Sequence, residues 1–134
     1  FKNNMIALLE EVNLGLEQCI DQPMGLLSGG QRQIIATIMA LHSGNKILLL
    51  DEHTSALDPN LQELLMHYTT NKIKQYQITA LMITHQMNDA IKYGNRLIML
   101  NQGTIDLDVH EHEKKSFSTD HLRDKFQPQL QGVS

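Results

Sequence analysis

Apolar side chains recur along this chain in two rhythms, one helical and one strand-like. Over residues 5 to 19, Ile6, Leu8, Leu9, Val12, Leu14 and Leu16 stand among acids at an imperfect helical spacing. Gly15 weakens that pattern, and Pro23 and Gly25 close it. Ile34, Ile35, Ile38, Met39 and Leu41 then share one broad face, predicting a helix that stops near Ser43-Gly44-Asn45. In front of it Ser28 offers an N-cap, and Gln31 completes the capping-box pattern S-x-x-Q. Ile47 to Leu50 is a short unbroken apolar run, the pattern of a strand covered on both faces. Asp58 caps the next helix and Pro59 takes its first position, with Leu61, Leu64 and Leu65 following and an end near Ile73. Ile78 to Ile83 reads as a second strand, which makes strand, helix and strand a βαβ unit. A short helix from Gln86 to Tyr93 ends at Gly94. Arg96 to Leu100 and Thr104 to Val109 flank Asn101-Gln102-Gly103 as a hairpin. From His110 the chain is polar, with one helix expected and a loose end at Gln127-Pro128.

Composition narrows the class without naming a function. At 134 residues, 41% hydrophobic and 19% charged, the chain suits one modest folded domain. A formal charge of -4 argues against a duplex nucleic-acid binder, and aromatics at 4% with no Trp leave few stacking platforms for single strands. Cys19 is the only cysteine, so no internal disulfide forms; a buried structural thiol in a reducing compartment is its expected role. No apolar run reaches the ~20 residues that span a bilayer. The start at Phe1 carries neither an initiator Met nor a signal pattern, and a longer gene product is expected.

Two segments carry chemistry. Ser28-Gly29-Gly30-Gln31 opens a helix, and a helix N-terminus presents unpaired N–H groups and partial positive charge to an anion. Two glycines without Cβ atoms would let a phosphate approach that backbone, and the Ser28 hydroxyl adds a donor. An ordinary capped helix is the plain structural alternative. Asp51 and Glu52 follow a strand directly, where ligands of doubly wound sheets collect. His85 ends the second strand and could hydrogen-bond a phosphate. His110-Glu111-His112-Glu113 and Lys114-Lys115 are expected to be solvated, and the seven methionines to be core filler.

Leu27-Ser28-Gly29-Gly30-Gln31-Arg32-Gln33 and the Asp51-Glu52 strand exit closely resemble the signature motif and Walker B segment of an ATP-binding-cassette (ABC) ATPase. Ser55-Ala56-Leu57-Asp58 resembles the D-loop of that family. The likeness covers roughly residues 5 to 109. It implies an α/β, P-loop NTPase-like partial domain: parallel core strands flanked by helices, with an antiparallel C-terminal hairpin. Residues 1–45 would end the helical subdomain with the signature helix. Residues 46–109 would hold the Walker B to switch-histidine core and hairpin, and 110–134 a tail. The resemblance further implies ATP and Mg²⁺ as cofactors, with Asp51 holding the metal through water, Glu52 polarising the attacking water, and His85 on the γ-phosphate. Ser28, Gly29, Gly30, Gln31 and Asp58 would serve nucleotide across a head-to-tail dimer, in which the signature of one subunit faces the Walker A nucleotide of the other.

The implied partners are a second nucleotide-binding domain, a transmembrane permease and an extracytoplasmic substrate-binding protein, at the cytoplasmic face of the membrane. No nucleic acid is implied. The implied function is an ATP-hydrolysing transporter subunit, with a non-transport ABC ATPase of translation or DNA, or a degenerate cassette, as alternatives. Two features depart from the family pattern. No G-x-x-x-x-G-K-[ST] is present, so the chain reads as a C-terminal portion without ATPase activity of its own. His53 also stands where proline is usual. The string from Asp51 to Pro59 resembles that of a subgroup of bacterial importers.

Overall fold

The computed structural model of the chain describes residues 2–126; the expected loose end at Gln127-Pro128 lies outside them. The chain divides into two compact units, Phe1–Ile83 and Thr84–Ser134.

The first unit begins with helix α1, Lys2–Val12. The single helix expected over residues 5 to 19 does not form. Asn13 and Gly15 turn left-handed at φ of 56° and 69°, and a short 3₁₀ turn covers Leu16–Cys19. The left-handed pair breaks the helical path, and the turn folds Leu16 back onto Leu9 and Val12 in the core. Helix α2, Gly29–Leu41, carries the capping box in full and ends at His42. Its apolar face, Ile34, Ile35 and Ile38, closes a core with Met5, Leu27 and Leu65. Cys19 is half-buried at the rim of that core.

Strand β1, Ile47–Asp51, leads through helix α3, Pro59–Tyr76, to strand β2, Thr79–Ile83, and the two strands pair in parallel from Ile47↔Thr79 to Asp51↔Ile83. This is the expected βαβ unit. The expectation of two covered faces fails, however. Leu48 and Leu50 are buried against Leu41 and Ile78, while Leu49 on the opposite face is 71% exposed. Ile47, Leu81 and Ile83 lie open beside it. Pairing fixes which residues share a face, and in this unit the helices cover one face only.

A polar joint ties α1, α2 and α3 behind the sheet. The two ring nitrogens of His42 meet the hydroxyls of Tyr68 and Tyr76 at 3.0 and 3.1 Å. Lys72 is buried and donates to Glu11 at 2.6 Å, with its ammonium 5.4 Å from the Tyr68 ring centroid. Burial and the Glu11 carboxylate together hold the Tyr68 phenol above its ordinary range.

The second unit contains helix α4, Met87–Lys92, and strands β3, Arg96–Asn101, and β4, Thr104–His110, paired antiparallel. The hairpin turns through Gln102 and Gly103, both at positive φ, which suits the twist of the strands. Two helices follow rather than one, α5, Glu111–Lys114, and α6, Thr119–Phe126. Lys114 was expected in solvent and is instead buried. Its ammonium donates to the Tyr93 carbonyl and, at 3.0 Å, to that of Gly94, and burial lowers its pKa. Lys115 is exposed and pairs with Glu111 at 3.2 Å. Among the methionines, Met5, Met66 and Met99 are core, whereas Met24 and Met39 are about half exposed.

Candidate functional site

The start of α2 is built by its own side chains. Ser28 is extended (φ −63°, ψ 161°); its Oγ accepts from the Gln31 N–H at 3.1 Å, and its own N–H donates to Gln31 Oε1 at 2.9 Å. That reciprocal pair consumes two of the helix's terminal donors. The N–H groups of Gly29 and Gly30, at the first two helical positions, have no acceptor within the helix. They are the donors an anion would meet, together with the Ser28 hydroxyl hydrogen, since Oγ can donate while it accepts.

The two glycines differ in what they require. A Cβ on Gly29 would stand 4.0 Å from the Ala56 Cβ, an ordinary contact. A Cβ on Gly30 would stand 2.9 Å from Leu57 Cδ2 and 3.2 Å from the Ala56 carbonyl oxygen. Glycine at position 30 is therefore demanded by the loop packed against it, whatever binds at the tip. The sequence had suggested phosphate approach as the reason for both.

That loop joins β1 to α3. Asp58 caps α3, its Oδ1 accepting from Asn60 and Leu61 N–H at 3.1 Å each, and Leu57 is buried in the core. The α2 tip and the loop together line an open concavity of about 500 Å³, where Ser28, Gly29, Gly30 and Gln31 face Ala56 and Asp58. The residues predicted to meet nucleotide from the signature and the D-loop thus share one surface.

Asp51 and Glu52 are exposed at the carboxyl end of β1. Glu52 takes φ of +44°, a left-handed conformation costly for a side chain with a Cβ. Its N–H donates to the Ile83 carbonyl at 3.0 Å, and its carbonyl accepts from Ser55 N–H at 2.9 Å. It also accepts from Gln33 Nε2 at 3.2 Å, while Gln33 Oε1 takes the Ala56 N–H at 3.0 Å. The sequence placed Gln33 at the end of the signature-like string without giving it a role, because a glutamine inside a helix carries no pattern that reveals a partner. His53, beside Glu52, is buried; its Nε2 has no hydrogen-bond partner, and burial lowers its pKa.

In the second unit His85 is exposed just after β2, and the Gln86 N–H donates to the Thr84 hydroxyl at 3.0 Å. His85 lines a shallow polar concavity with Gln86, Asn88, Thr119 and Arg123. Among the described residues no group of three or more His, Cys, Asp or Glu side chains is placed to hold a metal ion.

Comparisons with known proteins agree with one another. A family model described as ABC transporter matches residues 1–55. The chain is 42% identical over 125 residues to a tyrosine transport ATP-binding protein of Clostridioides difficile, covering 93% of this chain and 50% of that protein. It is 40% identical over 95 residues to a thiamine import ATP-binding protein of Yersinia pestis, covering 71% of this chain and 40% of that one. A bicarbonate transport ATP-binding protein of Synechocystis is 44% identical over 103 residues, covering 72% of this chain and 15% of that protein. The chain thus spans half or less of the length of these relatives. In solved structures, an ABC transporter described as metal-chelate type, in an inward-facing conformation, superposes with a TM-score of 0.69 at 28% identity, over 91% of this chain and 47% of that one. The capped glycine tip, the acidic strand exit and these likenesses lead to one statement: the chain belongs to the ABC ATPase family.

Proposed function

We propose that this chain supplies part of the ATP-binding, ATP-hydrolysing subunit of an ABC importer, which energises the movement of a small solute through a partner permease. The observation that carries the reading is the shared concavity of the Ser28–Gln31 tip and the Ala56–Asp58 loop, in the unit whose strand β1 ends at Asp51 with Glu52 next in the chain. The tip offers two backbone donors, a hydroxyl and a helix N-terminus to a phosphate, in a surface open enough to admit one. In a head-to-tail dimer that phosphate would belong to the partner domain's nucleotide.

Asp51 and Glu52 would act on the nucleotide held by the same protomer. The exposed Asp51 carboxylate offers the hard oxygen that suits Mg²⁺, an ion that keeps part of its water shell and shares its coordination with phosphates. Asp51 would hold it through water, and the ion would neutralise phosphate charge. Glu52 would orient and polarise the attacking water, the principal contribution a protein makes to phosphoryl transfer. His85 would donate a hydrogen bond to the terminal phosphate.

The relatives are named for tyrosine, thiamine and bicarbonate, so one kind of cassette serves unlike solutes. Solute choice then belongs to the permease and an extracytoplasmic binding protein. Among the described residues no helix is long and apolar enough to cross a membrane, which fits attachment through the permease. The test is Glu52→Gln in a full-length cassette that carries these residues. ATP binding is expected to persist while turnover falls at least about a hundredfold, in line with the loss of a water-positioning group. Turnover at the wild-type rate would remove Glu52 from the mechanism.

A further inference from the structure

Gln33 lies one turn inside α2, and both ends of its carboxamide are engaged by the loop that follows β1. Nε2 donates to the Glu52 carbonyl at 3.2 Å, and Oε1 accepts from the Ala56 N–H at 3.0 Å. One planar group therefore fixes two points of the loop, four residues apart in the chain, against one helix. The first of those points is strained. Glu52 sits at φ of +44°, and an L-residue returns to negative φ unless its surroundings hold it.

Hydrogen bonds with Ile83, Ser55 and Gln33 hold the Glu52 backbone. Its N–H is tied to Ile83 of the neighbouring strand and its carbonyl to Ser55 within the loop. The bond from Gln33 comes from the helix whose tip carries Ser28, Gly29 and Gly30. A second contact joins the same two elements, since Gly30 packs against Ala56 and Leu57 too closely to admit a Cβ.

We propose that Gln33 is a positioning residue that makes the conformation of Glu52 depend on the placement of α2. The inference rests on the ATPase reading above. On that reading the α2 tip meets the partner's nucleotide and Glu52 acts on the protomer's own. The carboxamide is then a direct mechanical link between two nucleotide sites. When the tip is seated, the Glu52 carbonyl is held, its left-handed backbone is kept, and its carboxylate starts from a fixed root. Without the link Glu52 relaxes. Nucleotide affinity does not use Gln33, so the loss falls on the chemical step and not on binding.

Two variants of a full-length cassette carrying these residues separate the two bonds, and amide exchange on the 134-residue chain itself gives a readout independent of activity. Gln33→Ala removes both bonds: kcat is expected to fall about tenfold with KM for ATP within about twofold, and exchange of the Ala56 amide to accelerate about tenfold. Gln33→Glu keeps an acceptor for the Ala56 N–H but sets a carboxylate oxygen against the Glu52 carbonyl. Ala56 protection is then expected to survive while kcat falls. Wild-type kcat in either variant, a rise in KM matching the loss of kcat, or unchanged Ala56 exchange in Gln33→Ala would overturn the proposal. A wild-type cassette without turnover would instead sink the ATPase reading, and the proposal with it. That outcome is recognised by wild type and variants being alike.

Discussion

Gly30→Ala should weaken the first unit, and Gly29→Ala should not. The two positions are adjacent in sequence and equivalent in motif, and only local space separates them. At position 30 the new methyl would come within 2.9 Å of Leu57 Cδ2 and 3.2 Å of the Ala56 carbonyl oxygen. Neither neighbour gives way easily. Leu57 is 7% exposed in the core with its N–H held by the Thr54 carbonyl at 3.1 Å, and the Ala56 N–H is held by Gln33. Forcing an extra methyl into such a contact costs about 1–3 kcal/mol. Replacing glycine within a helix returns at most about 1 kcal/mol, less in the first turn. The net expectation is a loss of about 1–2 kcal/mol, whereas Gly29→Ala, with its nearest neighbour at 4.0 Å, should stay within about 0.5 kcal/mol of the parent. Hydrogen exchange at the slow amides of α2 is the suitable assay, because two units need not unfold together and a bulk melt would mix them. Protection in α2 should drop about 5–30-fold in Gly30→Ala, the factor that corresponds to 1–2 kcal/mol. Unchanged protection in that variant, or an equal loss in Gly29→Ala, would refute the packing explanation.

The remaining predictions follow from caps and charge. Asp58→Ala should cost about 1 kcal/mol by freeing the Asn60 and Leu61 N–H groups, and Asp58→Asn should recover most of it; exchange at the start of α3 would show both. Stability of the first unit should also fall as pH drops below about 6.5. Burial first and the Lys72 charge second lower the His42 pKa, with Glu11 opposing in part. A depressed folded pKa means the unfolded chain binds the proton more readily. The contribution of His42 is therefore complete above the unfolded pKa and is lost as pH falls towards the folded one. His42→Gln should flatten the slope between pH 7.5 and 5 without abolishing it, because burial lowers His53 in the same direction. A slope that the variant leaves untouched, or one of opposite sign, would count against the assignment.

Elements whose signals lie within a few residues were legible from the chain alone. The capping box at Ser28 and Gln31, the Asp58-Pro59 start of α3 and the hairpin at Asn101-Gln102-Gly103 are local devices, and each formed, the hairpin with Asn101 still in its strand and only Gln102 and Gly103 turning. What depended on partners distant in sequence was not legible. An unbroken apolar run says that Ile47 to Leu50 favour burial, but covering both faces needs two layers. Within this unit the helices supply one, so Leu49 and Leu81 stay open. Lys114 looked like half of a solvated basic pair. It is buried because the carbonyls of Tyr93 and Gly94, some twenty residues away, offer acceptors that no spacing rule anticipates.

The candidate site divides along the same line. Residue types announced where an anion could bind, since serine and glycine at a helix start are recognisable by pattern. The supports of that place were hidden, because Gln33 and Gly30 act through contacts made only after the chain has folded. Two adjacent glycines in one motif then differ in their surroundings: the loop leaves room for a Cβ at Gly29, whereas at Gly30 the missing Cβ lets the loop close against the helix. A motif read as a single anion-binding unit would predict the same response to alanine at both positions. The structure requires different ones, and it ties that difference to the loop that follows Glu52, because only Gly30 packs against both Ala56 and Leu57 too closely for a methyl group.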